Sequence, residues 1–195
     1  MKCTVLQTSL DWCEGKPEYA GIRRNAYYTS FDNFVKCPSL PKDDLGRPTS
    51  SVLSGEFVMR ENAVFHSIQF DPAKSTFTSD AQGEWPSQSQ LDKLTLVHPG
   101  IGPEAAMAMV SINNTRNVFL FQDKAGRWRM VGHPDFPDMK NSVAQDLGQG
   151  SAGTTSTTIS VEASNYVSAP FFNGTITTED GDIDLSSDLI ETPKA

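Results

Sequence analysis

The sequence predicts a mainly β fold: an antiparallel sandwich or barrel with one short flanking helix. Three observations carry this. Eight to ten short runs rich in β-branched and aromatic residues are separated by frequent Gly, Pro, Asn and Asp turn signals. A single stretch has a clear helical signature. No alternation of strand and helix suggests repeated βαβ units. A chain of 195 residues, 37% of them hydrophobic, suits one domain with a sizeable core.

Taken in order, Cys3 to Leu6 is a short β-prone run and Glu14-Gly15-Lys16-Pro17 reads as a turn. Gly21 to Phe34 reads as a strand with a bend. Residues 37–51, with three prolines and Asp43-Asp44-Leu45-Gly46, form the clearest loop. Val52 to Arg60 and Ala63 to Asp71 read as two strands with a hairpin turn at Met59-Arg60-Glu61-Asn62. In the second run Val64, His66, Ile68 and Phe70 share one face, and Phe65, Ser67 and Gln69 the other. Lys74 to Ser79 is a Thr-rich edge strand or arm, and Leu91 to His98 is a strand with mixed faces.

The helix is predicted from Pro103-Glu104-Ala105-Ala106-Met107-Ala108-Met109-Val110, closed by Asn113-Asn114. Pro and Glu suit a first turn, and Ala and Met favour helix. Asn117 to Asp123 and Arg127 to Gly132 flank Lys124-Ala125-Gly126, the strongest hairpin signal in the chain. Val118-Phe119-Leu120-Phe121 is continuously apolar, so that strand is predicted to be covered on both faces. Residues 133–156 read as a long loop, followed by strands at Thr157 to Ala163 and Phe171 to Thr178. Residues 1–178 thus form one β-rich domain with an N-terminal arm, and 179–195 an acidic C-terminal tail.

The formal net charge is −8, from 16 Lys plus Arg and 24 Asp plus Glu. It is uneven: residues 1–150 carry a net −2 and residues 151–195 a net −6. Such a balance argues against binding that works by neutralising phosphates. Three cysteines, Cys3, Cys13 and Cys37, form no CxxC pair and make no disulfide scaffold. No apolar run approaches the roughly 18 residues of a spanning helix, and the N-terminus lacks a signal-peptide core.

Candidate chemistry is sparse, and the expectation is a chain without catalytic residues, cofactor or membrane contact. His66, His98 and His133 have no metal-ligand spacing and are expected to be structural. Gly148-Gln149-Gly150-Ser151-Ala152-Gly153 matches GxGxxG by letters but follows no strand. Gly100-Ile101-Gly102-Pro103-Glu104-Ala105 fits a looser dinucleotide fingerprint, with Asp123 at a ribose-contact distance in sequence; an ordinary strand–turn–helix corner is the competing reading. Asp180, Asp182, Asp184, Ser186, Asp188 and Glu191 fall at the ligand positions of a calcium loop. Leu185, however, sits where that loop needs Gly, so Asp180, Asp182, Asp184, Asp188 and Glu191 are at most a weak cation site beside the solvated-tail reading. Asn113-Asn114-Thr115 and Asn173-Gly174-Thr175 match glycosylation sequons, and Trp12, Trp85 and Trp128 could stack on sugars.

Several ordered stretches resemble a family of similarly sized virion structural proteins from phages and prophages of gut Bacteroidales. They are Trp12-Cys13-Glu14-Gly15-Lys16-Pro17 with Gly21-Ile22-Arg23, Gly83-Glu84-Trp85-Pro86, Val118-Phe119-Leu120-Phe121-Gln122-Asp123 with Gly126-Arg127-Trp128, and Ala169-Pro170-Phe171-Phe172. They are scattered over positions 6–178, and residues after Gly181 are not covered. The resemblance implies a major tail tube protein: a β-sandwich or barrel with a flanking helix, assembling as stacked, usually hexameric, rings around a DNA channel. It implies self-contacts and contacts with other virion proteins, DNA that passes without tight binding, and a place in the virion, with host cytoplasm during assembly. A head–tail ring or connector component and a sugar-binding β-sandwich module are the alternatives, and a dinucleotide-dependent enzyme is the remaining one.

Overall fold

Strand residues alternate between two environments along most of this chain, and that alternation builds two four-stranded antiparallel sheets. The computed structural model describes residues 7–186. Its elements are β1 (Ile22–Ser30), a 3-10 turn (Phe31–Asn33), β2 (Phe34–Lys36), β3 (Val58–Met59), β4 (His66–Gln69), β5 (Thr76–Gln82) and β6 (Ser89–His98). Helix α1 (Pro103–Asn114) precedes β7 (Asn117–Asp123), β8 (Trp128–Val131), β9 (Met139–Asp146), β10 (Ser156–Asn165), β11 (Thr175–Thr178) and β12 (Gly181–Asp184). The first sheet has the order β4-β1-β7-β8 and the second β5-β6-β10-β9, with β2-β3 and β11-β12 as small ribbons. The predicted antiparallel β-sandwich with one flanking helix is what the chain adopts.

The two sheets enclose an apolar core made of their inward residues. Ala26, Ile68, Phe119 and Phe121 from one sheet meet Leu94, Leu96, Ile159 and Val161 from the other. Ile112 of α1 closes one side. β10 shows the cause plainly: Thr157, Ile159, Val161, Ala163 and Asn165 are buried and the residues between them are half-exposed, the period-two signature of a strand with one face inward. A second core covers the opposite face of the first sheet, where Val118, Leu120, Trp128 and Met130 meet Phe34, Leu53, Phe65, Phe172 and Ile176. β7 belongs to both, since Asn117 through Gln122 are all buried, as its unbroken apolar run predicts.

The β7–β8 hairpin turns as its sequence predicts. The Asp123 N–H donates to Arg127 O and the Gly126 N–H to Asp123 O, and Gly126 takes φ +91, which only a residue without a Cβ adopts at little cost. Helix α1 begins at Pro103 after Gly102 and is pinned by side chains: Asn113 Oδ1 accepts from the Val143 N–H at 2.8 Å, and Asn141 Nδ2 donates to Thr115 O at 2.8 Å.

Four expectations change. The runs on either side of Met59-Arg60-Glu61-Asn62 do turn there, but they do not pair with each other: β3 pairs with β2 and β4 with β1. Phe65 seats in the second core while Ile68 and Phe70 enter the first, so burial of these side chains outweighs the local hairpin. Residues 133–156 are not one long loop, because Met139–Asp146 pairs along β10. Of the strand expected at 171–178, only Thr175–Thr178 forms a regular strand, and Phe171 bridges to Val52 and Arg129 instead. The acidic tail does not begin at 179: β12 pairs with β11, and Leu185 is 2% exposed in the second core. The β-prone run Cys3 to Leu6 lies outside the described residues.

Candidate functional site

At one end of the sandwich the space between the sheets turns from apolar to polar. β6 carries its inward alternation past Leu96 and Leu94 to Asp92, which is almost fully buried. β7 and β8 place Phe121 opposite Arg129, with Asp123 and Arg127 beyond them at the turn. Asp123 holds both arginines: Oδ2 lies 2.9 Å from Arg127 Nε and 3.5 Å from Arg129 Nε, and Oδ1 accepts from the Arg127 N–H. Both guanidiniums also lie over the Phe171 ring, at 4.2 Å for Arg129 and 5.3 Å for Arg127. The result is two cations fixed between one carboxylate and one aromatic face.

Beneath them, Asp92 Oδ2 accepts from the Ala169 N–H at 2.9 Å. Ala169 has φ +25 in a fully buried position, a strained conformation for a residue with a side chain, and Pro170 follows it. Burial pushes the Asp92 carboxyl above its ordinary range; the nearby Ser79 hydroxyl, the Ala169 N–H and Arg129 pull it back. Ser79 faces Asp92 across the β5–β6 pair but is not aligned for a full hydrogen bond, leaving Asp92 Oδ1 and Ser79 Oγ unpartnered. Burial lowers the Arg129 pKa against the pull of Asp123. Above this cluster opens a mouth of about 420 Å³, floored by Ile22, Phe77 and Phe121 and rimmed by Tyr19, Arg127 and Ser168. It offers paired cations, hydroxyls and aromatic surface, a set suited to holding a polar or aromatic group.

A second concavity, about 280 Å³, lies between β4 and α1, with Tyr28, Ile68, Met109 and Val143 along it and His66 and His98 on its rim. Each of the three histidines, expected to be structural, has a hydrogen-bond partner. His98 Nδ1 donates to Gln69 O at 2.7 Å and His66 Nδ1 lies 2.9 Å from Glu179 Oε1. His133 is buried with both nitrogens engaged, Nε2 donating to Pro38 O and Nδ1 accepting from the Asp135 N–H.

The calcium-loop register is realised as a β-hairpin. Asp180 sits in the β11–β12 turn, and Asp182 and Asp184 face Thr177 and Thr175 across the ribbon. An extended strand spaces alternate residues by about 7 Å, so these carboxylates spread rather than converge. Asp188 and Glu191 lie outside the described residues, among which no group of three metal-ligating side chains occurs. Asp184 is held below its usual range by bonds from Ser186. The glycine-rich corner at Gly100 leads from β6 in one sheet through α1 to β7 in the other, and Asp123, the residue placed to meet a ribose, is engaged by Arg127 and Arg129. That corner is therefore the ordinary strand–turn–helix connection. Gly148 to Gly153 forms the β9–β10 connection.

Of the cysteines, Cys13 is exposed, while burial beside Asp135 pushes the Cys37 thiol up to about 12, so it stays protonated at neutral pH. The sequence reading missed the Asp92–Asp123–Arg127–Arg129–Phe171 cluster. The one usable signal was Asp92 itself, a carboxylate on the same face as Leu94 and Leu96. No family model, curated protein or solved structure matches the chain.

Proposed function

We propose that this chain is a self-assembling structural subunit of a phage particle, a tail tube protein whose copies close into stacked rings around a DNA channel. One observation carries the self-assembly: residues 7–21 are exposed throughout, and Leu10 and Trp12 stand 96% and 70% exposed. An extended arm that holds a Leu and a Trp in water gains about 2 kcal/mol or more for each side chain it can bury on a partner. The ordered segments that resemble Bacteroidales virion proteins support this identity, and the sandwich with a single flanking helix is compatible with it. The acidic balance supports a channel that lets phosphates slide, because like charges keep DNA from adhering. In this reading the chain works mechanically, in the virion and in the host cytoplasm during assembly, touching itself and other virion proteins. A head–tail ring component would use the same arm to join one ring only.

Electron microscopy of the purified chain, with light scattering across a concentration series, tests the proposal. Rings or tubes are the expected outcome, and a chain that stays monomeric at high concentration overturns it. A sugar-binding sandwich is the second reading, favoured by the mouth that combines Tyr19, Arg127, Arg129 and Asp123 over an aromatic floor. Saturable binding of a soluble oligosaccharide, lost in Arg129→Ala, would support that reading instead.

A further inference from the structure

The outer strands of the two sheets are not equally protected. On β4, the neighbouring Phe65 N–H is taken by Thr177 O and the Gln69 carbonyl by His98. On β8, the Met130 N–H donates to Pro170 O and the Trp128 carbonyl accepts from Phe172. On β9, the Val143 N–H is capped by Asn113. Only β5, among the described residues, has no backbone hydrogen bond on its outer side. Seven residues long and containing Thr, Phe and Ser, it is a ready template for one more strand.

The arm contains a segment of matching length and pattern. In Gln7-Thr8-Ser9-Leu10-Asp11-Trp12, the larger apolar groups recur at Leu10 and Trp12, in phase with Thr8, while Gln7, Ser9 and Asp11 are polar. This is the period-two pattern of a half-buried strand, on a segment that has no strand partner and no burial. A strand added to β5 would turn one face over the open mouth at the sandwich end, because β5 itself turns Phe77 into that mouth, 5.0 Å from the Phe121 ring. Leu10 and Trp12 would meet Phe77 and Phe121 there, and an indole would lie within reach of the paired arginines.

We infer that β5 is the receiving edge for residues 7–12 of a second copy of this chain, with Leu10 and Trp12 covering the mouth. This rests on the self-assembly reading and names the joint it uses. The occupant is a second copy because residues 7–12 are exposed throughout and make no backbone hydrogen bond to their own body among the described residues, whereas the arm joins that body only at its base, where Gly21 O accepts from the Lys124 N–H. Exchanging arms in one direction around a ring gives a heterologous contact that closes without leaving a free β5 edge.

Cross-linking between two distinguishable chains tests it. One tagged chain carries Thr78→Cys with Cys13→Ser; the other, differently tagged, keeps Cys13 and Thr78, and the two are co-expressed and oxidised gently with oxidised glutathione. Thr78 and Cys13 are both exposed. The expected product is an interchain disulfide between Cys13 of one chain and position 78 of the other, identified by peptide mapping. Oligomers that form without this link overturn the assignment of the joint and leave self-assembly standing. A chain that stays monomeric overturns both. A single chain carrying Cys13 together with Thr78→Cys that closes the link within itself also overturns the proposal, since the arm then packs at home. Independently, Leu10→Ser with Trp12→Ser is expected to raise the concentration for half-assembly at least tenfold with an unchanged melting temperature; unchanged assembly overturns the proposal.

Discussion

The two cores on either side of β7 are built in different ways. Between the sheets, the core is drawn mainly from regular strands: aliphatic side chains of β6 and β10 interdigitate with Ala26, Ile68, Phe119 and Phe121. On the other side it is drawn largely from irregular chain. Phe57 lies 4.9 Å from Phe172 and 5.1 Å from both Phe34 and Phe65, so one loop aromatic joins three others. Leu40, Leu53 and Leu185 complete that side. A sheet face holds its side chains at fixed spacing, whereas a loop can follow a missing side chain inward. The same buried volume should therefore cost different amounts on the two sides.

The largest test compares Phe119→Ala with Phe172→Ala, both nearly fully buried. We expect about 4 kcal/mol lost for Phe119 and nearer 3 kcal/mol for Phe172, by chemical denaturation. Equal losses, or the reverse order, would break the distinction between a rigid and a yielding wall. Next, Leu185→Ala should cost about 2–3 kcal/mol, because its side chain lies in the second core. A loss below about 0.5 kcal/mol would return this segment to a solvated tail.

A smaller effect concerns the polar end of the first core. Asp92→Asn keeps an oxygen for the Ala169 N–H and adds an amide donor toward Ser79. The folded-state pKa of Asp92 is raised above its ordinary 3.8, so the charged form carries a penalty that is absent below 3.8 and complete once pH exceeds the folded value. The variant is expected to be about 1 kcal/mol more stable than wild type at neutral pH, the difference fading by about pH 3. A variant less stable at neutral pH would mean that the Arg129 attraction outweighs burial. The smallest effect belongs to the hairpin's outer side: Asp180→Asn with Asp182→Asn should change stability by less than about 0.5 kcal/mol, with no calcium-dependent melting shift in wild type.

What could be read in advance follows the same division. β7, the Lys124-Ala125-Gly126 hairpin, α1 and β10 were legible because their periodicity and turn chemistry are local. β9 was not, since Met139–Asp146 is mostly polar and buries only Val143; it is held by β10 and by the end of α1, through Asn113 on the Val143 N–H and its own Asn141 on Thr115 O. The pairing of β3 and β4 with distant strands depends on which core receives Phe65 and Ile68, a choice made by tertiary packing. The polar cluster was illegible for the same reason. Arg129 and Phe171 are 42 positions apart, and only the bridge between β8 and the Phe171 segment brings them together. The acidic count from 179 onward suggested a tail, and for the described residues to 186 the β11–β12 pairing and one Leu among the carboxylates decide otherwise.

The double coverage of β7 also governs how the molecule comes apart. Alternate side chains of one strand serve both cores, so neither can lose its packing while the other keeps a complete wall. Opening of the loop-built side uncovers Val118 and Leu120, and opening between the sheets uncovers Phe119 and Phe121. Unfolding should then be one cooperative event. The backbone amides of β7 should be the last to exchange with solvent, and no fragment ending before Asn117 should hold a native half.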